Sequence, residues 1–246
     1  MNPLVTITAW IGIAGSAAHA VTCEQVYFKD APYTICEVDL TREKLSLFLR
    51  DEHGEIYGHF SAIDSALASK GEQLVFAMNA GMYHDDRSPV GHYIENGQEL
   101  RRVIPNAGPG NFGLLPNGVL CLRDARADVI ETLQYIDAKP DCIHATQSGP
   151  MLVVDGELHP RFLRDGTSRY IRNGVGTSAD GREAIFAISD VPVNFYTFGL
   201  FFRDYLGVRN ALYFDGKVSR LYAPQLGRND FGFALGPIIG VTARAE

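Results

Sequence analysis

The 246-residue chain has no apolar run as long as the roughly 20 residues that a membrane-spanning helix needs. A stable membrane anchor is therefore not expected. It has no excess of basic residues either: 22 Lys and Arg stand against 29 Asp and Glu, a formal net charge of -7. Such a surface repels nucleic acid, so an anionic ligand must find a local concentration of arginine working against the global field. No two cysteines have CxxC spacing, which argues against a structural zinc site. No repeat, low-complexity tract or linker interrupts residues 21–246, which leaves one domain. Gln147-Ser148-Gly149 lacks the glycine two residues before serine that a hydrolase nucleophile elbow carries.

What is present begins with an uncharged stretch, Leu4 to Ala18, followed by Ala18-His19-Ala20, a small-x-small cleavage site before Val21. Residues 1–20 read as a secretory signal peptide, although no Lys or Arg stands near Met1. Export to the periplasm or medium is the expectation. The four cysteines suit an oxidising compartment. They allow three connectivities, and proximity in the chain favours Cys23 with Cys36 and Cys121 with Cys142.

The 25 glycines and 12 prolines point to many tight turns and so to a sheet-rich fold. Alternation predicts strands over Thr34–Leu40 and Leu45–Leu49, and apolar runs predict buried strands over Leu74–Met78, Ala211–Phe214 and Pro237–Thr242. Helical spacing marks Ser61–Lys70, stopped by Gly71, and Asn194–Leu206, stopped by Gly207. Asp128–Ile136 fits helix and strand equally. Hairpin turns are expected at Asn96-Gly97, Pro116-Asn117-Gly118, Asp155-Gly156 and Asp180-Gly181. Together these give an α+β domain with a mixed, largely antiparallel sheet.

Four apolar strands run into turns that mix glycine with polar groups. They are Asn79-Ala80-Gly81-Met82-Tyr83, Gln147-Ser148-Gly149-Pro150, Arg172-Asn173-Gly174-Val175-Gly176 and Asp215-Gly216-Lys217-Val218-Ser219. Successive N–H groups in such turns form concavities that bind anions. The alternative for each is an ordinary turn; Asn79, for instance, could simply cap its own. In order and spacing, over roughly Leu74–Val241, the four resemble the motifs of the phosphodiester glycosidase family. The resemblance implies an enzyme that removes a sugar from a phosphodiester. One departure stands out: where that family's last loop continues with glycines and serines, this chain has Lys217, Val218 and Arg220.

For that reaction the leaving group is already good, because phosphate tolerates negative charge. The site needs a cation and N–H donors on the phosphate, and a carboxylate facing the developing positive charge of the sugar. Arg172, with its planar fork, is the expected phosphate grip. Asp215 is the first carboxylate, although Asp-Gly also forms turns; Asp190 and then Asp85 stand behind it. Asn79, Gly81, Ser148, Gly149, Asn173, Gly176, Gly216 and Ser219 are the candidate substrate- and phosphate-binding residues. No cofactor and no metal are expected, and the partner is a glycoconjugate or small molecule carrying a sugar 1-phosphodiester. Two rivals remain open. One is a metal-assisted phosphodiesterase that uses His84, Asp85 and Asp86, with His92 as a further ligand; the other is a non-catalytic envelope protein that binds sugar phosphates.

Overall fold

A computed structural model describes residues 21–245; the segment 1–20, read above as a signal peptide, lies outside the described residues. Strand outweighs helix by 41% to 13%, in three antiparallel sheets with three α-helices, which is the α+β class expected.

The first sheet has seven strands in the spatial order Val21–Phe28, Ala31–Asp39, Glu183–Ser189, Asn173–Thr177, Asn210–Tyr213, Met151–Val154, Glu157–Leu158. The second runs Arg228–Asn229, Leu221–Ala223, Glu72–Asn79, Ile238–Arg244, Leu45–Phe48. The third runs Gln98–Arg101, Tyr93–Glu95, His144–Ser148, Gly118–Arg123, Arg126–Glu131. All three contribute to one apolar core. Val38, Phe186 and Leu212 come from the first sheet, Leu47, Phe76 and Ile239 from the second, and Leu120 and Val129 from the third. Phe76 meets Phe186 at 4.8 Å between ring centres.

The middle strands of the first sheet are buried on both faces, which is why Glu183–Ser189 reads as an unbroken apolar run rather than an alternation. Phe186 turns toward the shared core, while Ile185 and Ala187 turn outward onto Phe198, Phe201 and Phe202. Those aromatics come from the segment predicted as one helix. Asn194 caps it by accepting from the Thr197 N–H at 2.8 Å, and an α-helix runs Phe195–Leu200. A wider π-helical turn over Phe201–Tyr205 then follows before Gly207. Within that turn Phe201 stacks on Tyr33 at 4.0 Å. The helix Phe60–Ala68 lays Phe60, Ile63 and Leu67 on the outer face of the second sheet.

The ambiguous stretch Asp128–Ile136 is both things in turn. The strand ends at Glu131, whose carboxylate accepts from the Leu133 and Gln134 N–H groups and starts a helix over Thr132–Ala138. Asn96-Gly97 and Asp155-Gly156 turn their hairpins with both residues at positive φ, as their sequences predict. The expected hairpin at Pro116-Asn117-Gly118 does not form. Asn117 is buried, where its amide donates to the Phe112 carbonyl and accepts from the Thr132 hydroxyl, so its side chain braces a loop instead. Strand Gly118–Arg123 pairs onward with Arg126–Glu131.

Cys23 lies directly opposite Cys36 and is joined to it, and Cys121 is joined to Cys142, the pairing that proximity favoured. Each bridge closes a short loop and contributes on the order of 3 kcal/mol by restricting the unfolded chain.

Candidate active site

Two sheet strands meet end to end at a pair of asparagines. Asn79 is the last residue of the central strand of the second sheet, and Asn173 the first residue of a central strand of the first. Both are completely buried. The Asn173 amide donates to the Asn79 carbonyl at 3.0 Å and to Asn79 Oδ1 at 3.1 Å. Asn79 Oδ1 also accepts from the Arg220 N–H at 2.8 Å. Asn173 Oδ1 accepts from the Asp215 N–H at 3.1 Å and from the Ser219 hydroxyl at 3.2 Å. Buried amides left unpaired would each cost about 1–3 kcal/mol, so this network fixes the Asp215–Arg220 loop to both sheets.

Within that loop Asp215 Oδ1 accepts from the Gly216 N–H at 2.6 Å and the Lys217 N–H at 3.0 Å. Among the described residues Oδ2 has no hydrogen-bond partner. Burial pushes the Asp215 pKa up against those two amides, which pull it down. The Ser219 hydroxyl also reaches the carbonyls of Ile171 and Asp215, and Ser148 donates to the Phe214 carbonyl at 2.9 Å. Burial raises the pKa of Tyr83 and the charge of Asp215 raises it further, which places the two in one electrostatic neighbourhood.

Arg172, expected from the sequence as the phosphate grip, lies beneath this loop with no solvent exposure. Its Nε donates to the Val193 carbonyl at 2.9 Å, one terminal nitrogen to the Tyr213 hydroxyl at 3.2 Å, and the other to the Ser168 carbonyl at 3.0 Å. Its guanidinium lies 3.6 Å from the Phe195 ring centre. Burial lowers its pKa, yet a guanidinium stays charged. A Cβ on Gly216 would run into the Tyr213 hydroxyl, so Arg172 acts on the loop through Tyr213.

Asp190 is turned elsewhere. Its carboxylate pairs with Arg228 at 2.6 Å and accepts from Thr34 and Gln25, while Arg228 also holds Asp230. This ion cluster borders the loop where Asp230 accepts from the Leu221 N–H. Three of the candidate glycines are close-packing positions. A Cβ on Gly81 would lie 2.5 Å from Thr146 Oγ1, on Gly149 2.6 Å from Asn117 Cβ, and on Gly176 2.7 Å from Val208 Cγ2. Gly176 sits within its strand, opposite Ile185 and Ala211. His84, Asp85 and Asp86 are exposed, whereas His92 is buried against Tyr135 and the Arg101 carbonyl, so these residues do not converge. Among the described residues no group of three or more His, Cys, Asp or Glu is placed to hold a metal ion.

Neither Tyr83 nor Arg220 was among the candidate site residues. Arg220 carried a signal, as a bulky cation in a loop where glycine and serine were expected. Tyr83 carried only its position at the end of the Asn79 turn.

The profile of the phosphodiester glycosidase family matches residues 72–236, a span that holds the asparagine pair, Arg172 and the whole Asp215 loop. The chain belongs to the phosphodiester glycosidase family. It is 33% identical over 205 residues to YigE of Escherichia coli K12, itself uncharacterised, covering 82% of this chain and 80% of that one. In fold it resembles the zebrafish N-acetylglucosamine-1-phosphodiester alpha-N-acetylglucosaminidase catalytic domain auto-inhibited by its pro-peptide. That likeness has a TM-score of 0.61 and 14% identity, and covers 92% of this chain and 84% of the other. A hypothetical protein from Synechocystis matches with a TM-score of 0.61 and 13% identity, covering 91% and 62%. A protein of Burkholderia pseudomallei named a "putative exported protein" matches at 0.57 and 12%, covering 86% and 74%. Membership of the phosphodiester glycosidases supports a glycosidase-type hydrolase.

The raised pKa of Asp215 makes a signed prediction for this member of the phosphodiester glycosidase family. The folded state holds the Asp215 proton more tightly than the unfolded chain, so ionisation opposes folding. The contribution is absent while Asp215 is protonated in both states and grows as pH rises from the ordinary carboxylate value to the raised one. Asp215→Asn, which keeps the acceptor for the two loop amides, should therefore raise the melting temperature at neutral pH and lose that advantage in acid. Melting curves across pH 3–7 check this. An Asp215→Asn protein less stable than wild type at neutral pH would show that the carboxylate braces the fold.

Proposed function

We propose that this phosphodiester glycosidase hydrolyses the C1–O bond of a glycosyl phosphodiester, releasing free sugar and a phosphomonoester. One observation carries the proposal. Within the family-matched span, a half-buried carboxylate is held by two loop amides through one oxygen, and the other oxygen has no hydrogen-bond partner among the described residues. Water forms the new bond to the anomeric carbon, and the C1–O electron pair leaves with the phosphate. The proton lost by water passes to solvent or to the phosphomonoester. Phosphate needs little protonation to depart, so the protein can act mainly on the sugar, with Asp215 facing the developing positive charge.

The surrounding residues take supporting roles. Asn79, Asn173 and Ser219 fix the loop, Gly216 supplies an N–H to Asp215 and room for Tyr213, and Ser148 anchors Phe214. Arg172 is a positioning residue that acts through Tyr213, and Asp190 steadies the neighbouring strand ends through Arg228. Gly81, Gly149 and Gly176 let the surrounding strands and turns approach. The substrate is a small molecule or a glycoconjugate carrying a sugar 1-phosphodiester.

The bond that breaks is the test. Turnover of an N-acetylglucosamine 1-phosphodiester in ¹⁸O-water should put the label on the sugar and leave the phosphomonoester unlabelled. Asp215→Asn should lose most of kcat. Label on the phosphate would replace C–O cleavage with a phosphodiesterase reaction.

We also propose that the protein is exported. Support comes from the leader-like residues 1–20, the two disulfides and the absence of a membrane-length apolar helix among the described residues. Intact mass of periplasmic or secreted material should give a start near Val21 and no free thiol. Four titratable thiols would contradict export to an oxidising compartment.

A further inference from the structure

Arg220 leads from the Asp215 loop into strand Leu221–Ala223, and only 7% of its surface is exposed. Its backbone N–H is taken by Asn79, but among the described residues its guanidinium makes no hydrogen bond and no ion pair. Buried Arg172 and half-buried Arg228 differ. Arg172 commits its fork to two carbonyls and a hydroxyl, and Arg228 sits between Asp190 and Asp230. The carboxylate nearest in influence to Arg220 is Asp230, and that group is already held by Arg228 and the Leu221 N–H. Burying a cation without a partner is costly, so an empty fork of this kind suits an anion that arrives from outside.

The backbone beside the fork is a glycine. Gly232 closes over one side with φ +152°, and a Cβ there would lie 2.5 Å from the terminal nitrogen of Arg220. Phe231 and Phe233, on either side of Gly232, are 87% and 81% exposed, so this loop forms an open rim. Tyr83 packs against Gly236, and the charges of both Arg220 and Asp215 act on its hydroxyl. Arg220 and Asp215 are also tied through their backbones to the same asparagine pair.

We propose that Arg220 is the phosphate-binding residue of the Asp215 site, taking the non-bridging oxygens of the diester on its unpaired guanidinium under Gly232. The identity of the anion rests on the function proposed above. A planar fork matches two phosphate oxygens, and its attraction grows as the departing phosphate gains a second negative charge. The bound product should therefore hold more tightly than the diester.

Inorganic phosphate is the probe, titrated into the full-length mature protein at constant ionic strength. Binding is read by calorimetry and by the rise in melting temperature. Wild type should bind saturably, and phosphate should compete with the diester. Arg220→Gln should weaken binding about tenfold or more, Arg220→Lys should weaken it less, and Gly232→Ala should weaken it by crowding the fork. Arg182→Gln, which removes one positive charge from an exposed turn, should bind as wild type does. In phosphate-free buffer Arg220→Gln should be at least as stable as wild type, because it removes an unpaired buried charge. Three results would overturn the proposal: wild type that binds no phosphate, Arg220→Gln that binds it undiminished, or Arg220→Gln that is less stable than wild type without it. Phosphate binding lost in Arg220→Gln together with ¹⁸O on the phosphate would uphold Arg220 and remove the C–O cleavage reaction instead.

Discussion

The Asn79–Asn173 pair is the contact on which the rest of the site depends. Each amide is completely buried at the tip of a central strand, so neither can turn to water for its hydrogen bonds. Each must find them in the other and in the Asp215–Arg220 loop. The first and second sheets thus meet at one fixed point, and the loop that carries the candidate carboxylate is held there by the Asp215 and Arg220 N–H groups and the Ser219 hydroxyl. A rigid backbone is what a site needs if its charges are to act without reorganising.

Charge around that point is arranged in layers. The chain as a whole is acidic, at -7, yet two buried guanidiniums flank the Asp215 loop without any carboxylate bound to them among the described residues. Arg172, below, is pressed on the Phe195 ring and satisfied by neutral oxygens. Arg220 keeps its fork open. The ion cluster of Asp190, Arg228 and Asp230 is a third unit, internally neutralised except for one negative charge. A local positive potential inside an acidic protein is the condition the composition set for any anionic substrate.

Much of the fold was legible because its signals are local. Asn96-Gly97 and Asp155-Gly156 need positive φ at both turn positions, and few other residue pairs supply it. Gly71 and Gly207 stop their helices for the same reason. Asn117 misled because its Asn-Gly dipeptide is identical to a turn signal, while its amide is used in a tertiary brace that no local pattern reveals. The π-helical turn over Phe201–Tyr205 was equally hidden, since aromatic spacing does not register one wider turn. In the site, the motif order brought Asn79, Asn173, Asp215 and Ser219 to one place, as their contacts show. Burial was the quantity that sequence could not supply. Pairing at that depth separates Arg172, whose donors are used by the protein, from Arg220, whose guanidinium has no partner among the described residues, and close packing turns Gly176 from an anion-binding candidate into a seat for Val208.

The most direct measurement of the asparagine pair is a double-mutant cycle on unfolding free energy, with Asn79→Ala, Asn173→Ala and the double variant. A pair that holds two sheets and a loop as one unit should be strongly non-additive. Once either amide is gone, removing the other should add little, with a coupling on the order of 1–3 kcal/mol. Losses that sum to within about 0.5 kcal/mol would mean that the two residues act independently. The Asp215 loop would then owe its position to something other than this pair.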